Sequence, residues 1–141
     1  MTAAAERFLV FDLNGSRYAL PLVDVAEVLE PVPTFPIPRA AHFLLGAINF
    51  HGRIVAVLDL ATLLQSGAFG ADGKYVVLDR DQTGLALACG PTVNIIPAEV
   101  VLEEEPADSP FVERILVLAD GEVRLLHMEN LMLYLEELLH G

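Results

Sequence analysis

The chain has no tryptophan, a single cysteine, and only 8 lysines and arginines against 20 aspartates and glutamates. Each shortage excludes something. A lone cysteine, Cys89, cannot form an intramolecular disulfide; this fits a reducing compartment, and its ordinary role is that of a small buried hydrophobe. A formal charge of −12 makes nucleic-acid phosphates and anionic lipid poor partners, because both need a basic patch. No apolar run reaches the roughly 18–20 residues that span a bilayer, so no direct membrane insertion is expected. Met1–Arg7 lacks the basic stretch and apolar core of a secretory signal, which points to a cytoplasmic protein. The acid is concentrated at Glu103-Glu104-Glu105 with Asp108, and at Glu136 and Glu137. Such runs read first as solvated loops or helix faces.

Catalytic patterns are missing as well. Gly67 to Gly73 followed by Lys74 looks like a phosphate loop but is one residue too long. Tyr75 stands where serine or threonine is required, and a strand is expected to follow instead of a helix. His42, His51, His127 and His140 form no His-x-x-x-His pair and no metal motif. There is no Gly-x-Ser-x-Gly elbow, and Ser16, Ser66 and Ser109 sit in turn sequences. Cys89 has no neighbouring histidine to act as a base, and the carboxylates show no separation into acid and base roles. The expectation is a protein that is not an enzyme, with no cofactor and no metal.

What the chain has in quantity is apolar side chains, at 54%. That share implies strands buried on both faces, a sizeable protein interface, or both. At 141 residues the length fits one compact domain that needs no disulfide or metal. The chain also matches itself at an offset of 67 to 68 positions. Phe8-Leu9-Val10-Phe11-Asp12 falls on Tyr75-Val76-Val77-Leu78-Asp79, and Tyr18-Ala19-Leu20 on Leu85-Ala86-Leu87. Val28-Leu29 falls on Ile95-Ile96. Phe43-Leu44 falls on Phe111-Val112, and Val57 to Leu64 on Leu125 to Met132. A unit of this length occurring twice suggests two similar subdomains, about 8–65 and about 75–139, rather than a solenoid.

Within each unit the elements read as short strands. Asn14-Gly15 between Phe8–Leu13 and Ser16–Pro21 is a hairpin signal, and Asp79-Arg80-Asp81-Gln82 repeats the layout. Val23 to Leu29 alternates with period two, as a half-buried strand does. Leu44–Phe50 and Arg53–Leu58 form a second pair turning at His51-Gly52; Ile115–Ala119 and Glu122–Leu126 repeat it, turning at Asp120-Gly121. Asp59 is expected to cap a short helix over Leu60–Leu64, and Asn130 a longer one over Leu131–His140, with Leu131, Tyr134, Leu135, Leu138 and Leu139 on one face. The prolines of Pro31 to Pro38 make that stretch a stiff crossover that cannot be a central strand. Ser66 to Gly73 reads as the joint between the units. Many short strands with little helix point to small barrels.

The segment from Phe43 through Gly46, Asn49, His51 and Gly52 to Asp59-Leu60 resembles the central signature of the CheW family of chemotaxis coupling proteins. Phe11-x-Leu13-x-Gly15-x-x-Tyr18-Ala19-Leu20-Pro21 and Val25-Ala26-Glu27-Val28-Leu29 are similar to the family's opening. Thr83–Leu87 and Gly121–Leu126 match more weakly, and the resemblance runs from about Arg7 to Leu139. It implies an all-β fold of two intertwined five-stranded SH3-like barrels related by a pseudo-two-fold, which share a core within a single CheW-like domain (1–141). A short helix follows each barrel's last strand, and the second of these is the C-terminal helix. It also implies a non-catalytic scaffold at membrane-associated receptor arrays, coupling the cytoplasmic domain of methyl-accepting chemoreceptors to the regulatory domain of a CheA-type histidine kinase. A diverged adaptor for another kinase pathway, such as surface motility, is the alternative; a small β-barrel enzyme or ligand-binding protein is a more distant one. The family's interaction surface falls on Val25, Glu27, Gly46, Asn49, His51 and Gly52. Two positions depart from the family pattern: its turn arginine is His51 here, and its strand proline is Ala56. The resemblance implies that the family's arginine pairs with the acid corresponding to Glu27, so His51 and Glu27 are expected to meet as a pair sensitive to pH; Arg53, two positions on, points to the same strand face as His51 in an extended chain and is a candidate stand-in for the lost charge at the receptor contact.

Overall fold

A computed structural model describes residues 6–64, 73–79, 84–107 and 109–140. The order of elements is β1 (Arg7–Leu13), β2 (Ser16–Pro21), β3 (Val25–Leu29), β4 (Leu44–Phe50), β5 (Arg53–Asp59), α1 (Leu60–Leu63), β6 (Lys74–Leu78), β7 (Leu85–Cys89), β8 (Val93–Pro97), β9 (Glu103–Pro106), β10 (Val112–Leu118), β11 (Gly121–Leu126) and α2 (Met128–His140). The fold is mostly β, as expected. The joint expected at Ser66–Gly73 lies outside the described residues up to Ala71-Asp72, and so does most of the turn at Asp79–Gln82.

The strands form two sheets, ordered β8-β1-β2-β11-β10-β9 and β3-β6-β7-β5-β4. Contacts divide the chain into two compact units that follow the sheets rather than the halves of the sequence. One comprises the residues up to Val10, Ser16–Leu22 and Asn94 onward; the other comprises Phe11–Gly15 and Val23–Val93. The repeats therefore exchange their opening strands. β2 lies parallel to β11, with Tyr18 opposite Arg124 and Ala19 opposite Leu125. β5 lies parallel to β7, with Val57 opposite Ala86 and Leu58 opposite Leu87.

Each unit encloses its own apolar cluster. In the first, Phe8, Val10, Ala19, Leu116, Leu118, Val123 and Leu125 are buried, with Ile96, Ala98 and Val101 packed against them. In the second, Ile48, Val55, Val57, Tyr75, Val77, Ala86 and Ala88 are buried, with Leu29, Leu45 and Phe50 against them. Burying one such large side chain contributes about 1.5–3 kcal/mol. β7 is buried at all five positions, as the sequence's apolar excess requires.

The repeat extends to details of hydrogen bonding. Asp59 N–H donates to the Phe43 carbonyl and His127 N–H to the Phe111 carbonyl. A register shift falls between Leu44 and Gly46 on β4, and between Val112 and Arg114 on β10. The two helices are capped alike. The Asp59 carboxylate accepts from the Thr62 N–H, and His127 Nδ1 accepts from the Asn130 N–H at 3.2 Å. This corrects the expected Asn130 cap. α2 starts three residues earlier than expected, and the Asn130 amide instead donates to the Pro110 carbonyl. Leu131 and Leu135 are buried, and the Tyr134 ring packs at a tilt against Phe111.

Three further expectations are corrected. The run Glu103–Glu105 is neither loop nor helix; it is the outer strand β9, paired antiparallel with β10, and Glu104 holds Arg114 at 2.9 Å. This strand makes the first sheet six-stranded instead of five. Its counterpart in the other unit is the proline crossover, where only Phe35 bridges to Ala47. Prolines lack the N–H donors that would extend that bridge into a strand. Val23 belongs to a 3-10 turn, Leu22–Asp24, ahead of β3. The last hairpin turns at Ala119-Asp120, with Gly121 already paired to Leu118.

Cys89 is buried, and burial together with the nearby Asp12 charge pushes its thiol up to about 12. With so little thiolate at neutral pH, the folded chain is expected to resist alkylation by iodoacetamide at pH 8. Labelling should appear only in denaturant. Rapid modification of the native protein would contradict this placement.

Candidate functional site

All six of the residues singled out on the sequence lie in the second unit, on or beside the strands at its two edges. β4 and β5 meet at a two-residue turn. His51 has φ 51° and Gly52 φ 81°, the left-handed pair that a two-residue hairpin of the favoured twist requires. The Asn49 side-chain oxygen accepts the Gly52 N–H at 2.9 Å, so Asn49 fastens the turn internally. Val25 and Glu27 are on β3, at the opposite edge of the sheet order, opposite Leu78 and Val77 of β6. The register shift between them puts Ala26 in a bulge.

The sheet curls enough to bring the two edges together. His51 Nε2 lies 3.6 Å from Glu27 Oε1, so the two residues meet, as the resemblance implied. Val77 belongs to the buried cluster, and residues paired across a ladder share a face. Glu27 therefore lies on the same face of the sheet as that cluster. The His51 ring lies edge-on to Phe50, centroids 4.3 Å apart, and Phe50 packs against the same cluster. Both side chains of the pair remain largely exposed. Arg53, at the start of β5, is exposed.

Gly46 does different work. It is buried, with φ 145°, and a Cβ there would sit 2.6 Å from the Phe35 carbonyl oxygen and 2.9 Å from the Thr34 side chain. Its role is to admit the proline crossover against β4. The Ala56 N–H donates to the Gly84 carbonyl at 2.8 Å, a bond that a proline at this position could not make.

Sequence reasoning missed Ile54 and Phe35. Ile54 is directly opposite Asn49 and is 70% exposed. Phe35 bridges to Ala47 and is 63% exposed. By strand alternation, Phe35, Ala47, Asn49 and Ile54 share the face of the sheet away from the buried cluster. The signal was present in β5, which is apolar at both phases of its period (Ile54, Ala56 and Leu58 against Val55 and Val57), although only one phase faces the cluster. Among the described residues no group of three or more histidine, cysteine or acidic side chains could hold a metal ion. None of the described helices is long and apolar enough to cross a membrane. The arrangement is a surface: an exposed hairpin tip, an ionisable pair and an apolar outer face.

Comparison with known proteins gives a consistent answer. The model of the CheW-like domain matches residues 7–136. The chain is 29% identical over 102 residues to Protein FrzA of Myxococcus xanthus, covering 65% of this chain and 64% of that protein. It is 34% identical over 56 residues to the chemotaxis protein CheW of Thermotoga maritima, covering 40% of this chain and 37% of that one. The matches thus span less than two thirds of these relatives' lengths. Among solved structures, the scaffolding protein TtCheW of Thermoanaerobacter tengcongensis superposes with a TM-score of 0.74 at 26% identity, covering 87% of this chain and 89% of that one.

Proposed function

The chain belongs to the CheW-like domain family, and from that membership we propose that it is a non-catalytic scaffold of bacterial chemotaxis signalling, coupling chemoreceptor cytoplasmic domains to the regulatory domain of a CheA-type histidine kinase. The observation that carries this reading is the likeness to a solved scaffolding protein across 87% of the chain. The location that goes with it is the cytoplasm, at receptor arrays. The match to Protein FrzA favours a second reading of the same kind, an adaptor serving another kinase pathway. The docking surface we assign is the β3 edge with the β4–β5 tip: Val25, Glu27, His51 and the outer-face residue Ile54. Gly46, Asn49 and Gly52 shape it from within.

Large exposed apolar side chains next to partly charged rims are typical interface anchors. Ile54→Glu is therefore expected to weaken binding to the kinase regulatory domain about tenfold. Its stability should change by only about 0.5 kcal/mol, as usual for an exposed position. Titration calorimetry with the kinase domain, beside co-sedimentation with a receptor cytoplasmic fragment, measures both arms. Unchanged binding by Ile54→Glu and Glu27→Ala would remove the surface assignment. Binding of neither partner by the parent chain would remove the scaffold reading.

A further inference from the structure

The outer face of the first unit's sheet carries charges that the fold itself leaves unbalanced. Leu116, Leu118, Val123 and Leu125 turn into the buried cluster, so by alternation Ile115, Val117, Glu122 and Arg124 turn away from it. Residues paired across a ladder share a face, which sets two rows side by side. One row runs Glu103, Val117, Glu122 across β9, β10 and β11; the next runs Glu105, Ile115, Arg124. The second row has opposite charges at its two ends. The first has an acidic side chain at both ends, each exposed, with the half-buried Val117 between them. Neighbouring strands lie about 4.8 Å apart, so the two acidic positions are separated by about 10 Å.

The nearby cations are engaged elsewhere. Arg17 on β2 donates through both terminal nitrogens to the Asp120 carboxylate in the β10–β11 turn, at 3.3 and 3.0 Å. Arg114 is held by Glu104 and Glu113. Among the described residues, none of Glu103, Glu105, Glu122 and Arg124 forms an ion pair. The architecture does not require acid at these places. At the offset of 68 positions, Val117, Glu122 and Arg124 fall on Asn49, Ile54 and Ala56, which are uncharged.

We infer that the row Glu103–Val117–Glu122 is a subsite for an arginine on an extended segment of a partner protein, its aliphatic stem on Val117 and its guanidinium between the two carboxylates. Carboxylates alone would make only a solvated rim. The apolar side chain between them gives a long basic side chain a surface to pack on while its head stays with the charges. A planar guanidinium presents donors along more than one edge and can serve acceptors on both sides, whereas an ammonium is a compact point charge. The neighbouring row puts Ile115 beside the subsite, so the residue two positions from the arginine meets an apolar side chain. A second copy of this chain is a poor occupant, because a formal charge of −12 brings acid against acid. The subsite belongs to the other unit from Glu27, His51 and Ile54, and it does not rest on the reading above.

The test uses the full chain and a seven-residue threonine peptide that carries one arginine and, two positions on, one isoleucine. Binding is followed by two-dimensional amide NMR at low salt. Shifts are expected to centre on Glu103–Glu105, Val117 and Glu122, with a dissociation constant in the millimolar range. Citrulline in place of the arginine keeps the shape and removes the charge; it should weaken binding about three- to tenfold, the worth of two exposed charge pairs. The double variant Glu103→Gln, Glu122→Gln should lose a similar factor toward the arginine peptide. The double variant Glu136→Gln, Glu137→Gln removes the same charge from exposed positions of α2 and should leave the affinity within about twofold. Urea midpoints close to that of the parent check that both variants fold, as substitutions at exposed positions allow. Equal weakening by the two double variants would reduce the effect to bulk attraction and overturn the subsite. Shifts centred away from β9, β10 and β11, indifference to citrulline, or no saturable binding at millimolar peptide would overturn it as well.

Discussion

Produced as separate polypeptides, residues 6–64 and residues 73–140 are each expected to give no cooperative unfolding transition, and folding should return only when the two are mixed. The argument is one of strand pairing. Cut between α1 and β6, the first piece retains only the β1–β2 and β4–β5 hairpins. β1 loses β8, β2 loses β11, β3 loses β6 and β5 loses β7. The second piece keeps β6–β7 and the β9–β10–β11 ribbon, and loses the strands that cover them. An isolated two-stranded hairpin is marginal in water, and three or more strands with a buried face are needed for independent stability. The first cluster would lose Phe8, Val10 and Ala19; the second would lose Tyr75, Val77, Ala86 and Ala88. Circular dichroism and a thermal scan of each piece, alone and mixed, read this directly. A sigmoidal transition in either piece alone would show that the exchange of strands is not obligatory.

Gly46→Ala is expected to destabilise the chain by about 2–4 kcal/mol, the sum of a backbone conformation that L-residues avoid and a steric collision. The collision is with backbone. Phe35 N–H donates to the Ala47 carbonyl at 2.7 Å, and Ala47 N–H donates to the Phe35 carbonyl at 2.8 Å. The carbonyl that a Cβ would strike is thus the acceptor that holds the crossover to β4. Retreat of the crossover would break that pair and the contact from the Thr34 hydroxyl to the Leu45 carbonyl. Gly52→Ala supplies the comparison. Gly52 also has a positive φ, but nothing lies within 4 Å of its Cβ position, so its cost should be about 1 kcal/mol. Urea midpoints for the two variants test the difference. Equal costs would mean that the crossover yields freely. At the matching place in the other repeat the chain carries Arg114, because there the flanking segment is a regular strand, β9, that pairs without crowding β10.

The elements were more legible in the sequence than their assembly. The offset of 67 to 68 positions preserves the apolar pattern, and it preserved the hydrogen bonds from Asp59 and His127 as well. Which copy of β2 pairs with which last strand was not written locally. Tyr18 and Leu85 are equivalent by pattern, and either could lie beside Arg124. Glu103–Glu105 escaped as a strand because three like charges carry no alternation. Its extended form comes from pairing with β10, and its charges guard an outer edge against association with other sheets. His127 escaped as a cap because asparagine, available at Asn130, is the stronger local preference. The pair of His51 and Glu27 was reached only through the family resemblance, since 24 positions of chain separate its members. Ile54 was marked in β5 only by a strand apolar at both phases, and the phase it belongs to runs from exposed at Ile54 to buried at Leu58.

The exchange of opening strands also sets a timetable for synthesis. Arg17 and Asp120, which clasp in the finished sheet, are separated by 103 positions. At a translation rate of about 5–20 residues per second, the first hairpin emerges from the ribosome roughly 5–20 seconds before its partner strand emerges. During that interval Phe8, Val10 and Ala19 have no sheet to cover them, so this hairpin is the segment of the nascent chain on which a chaperone has the longest hold.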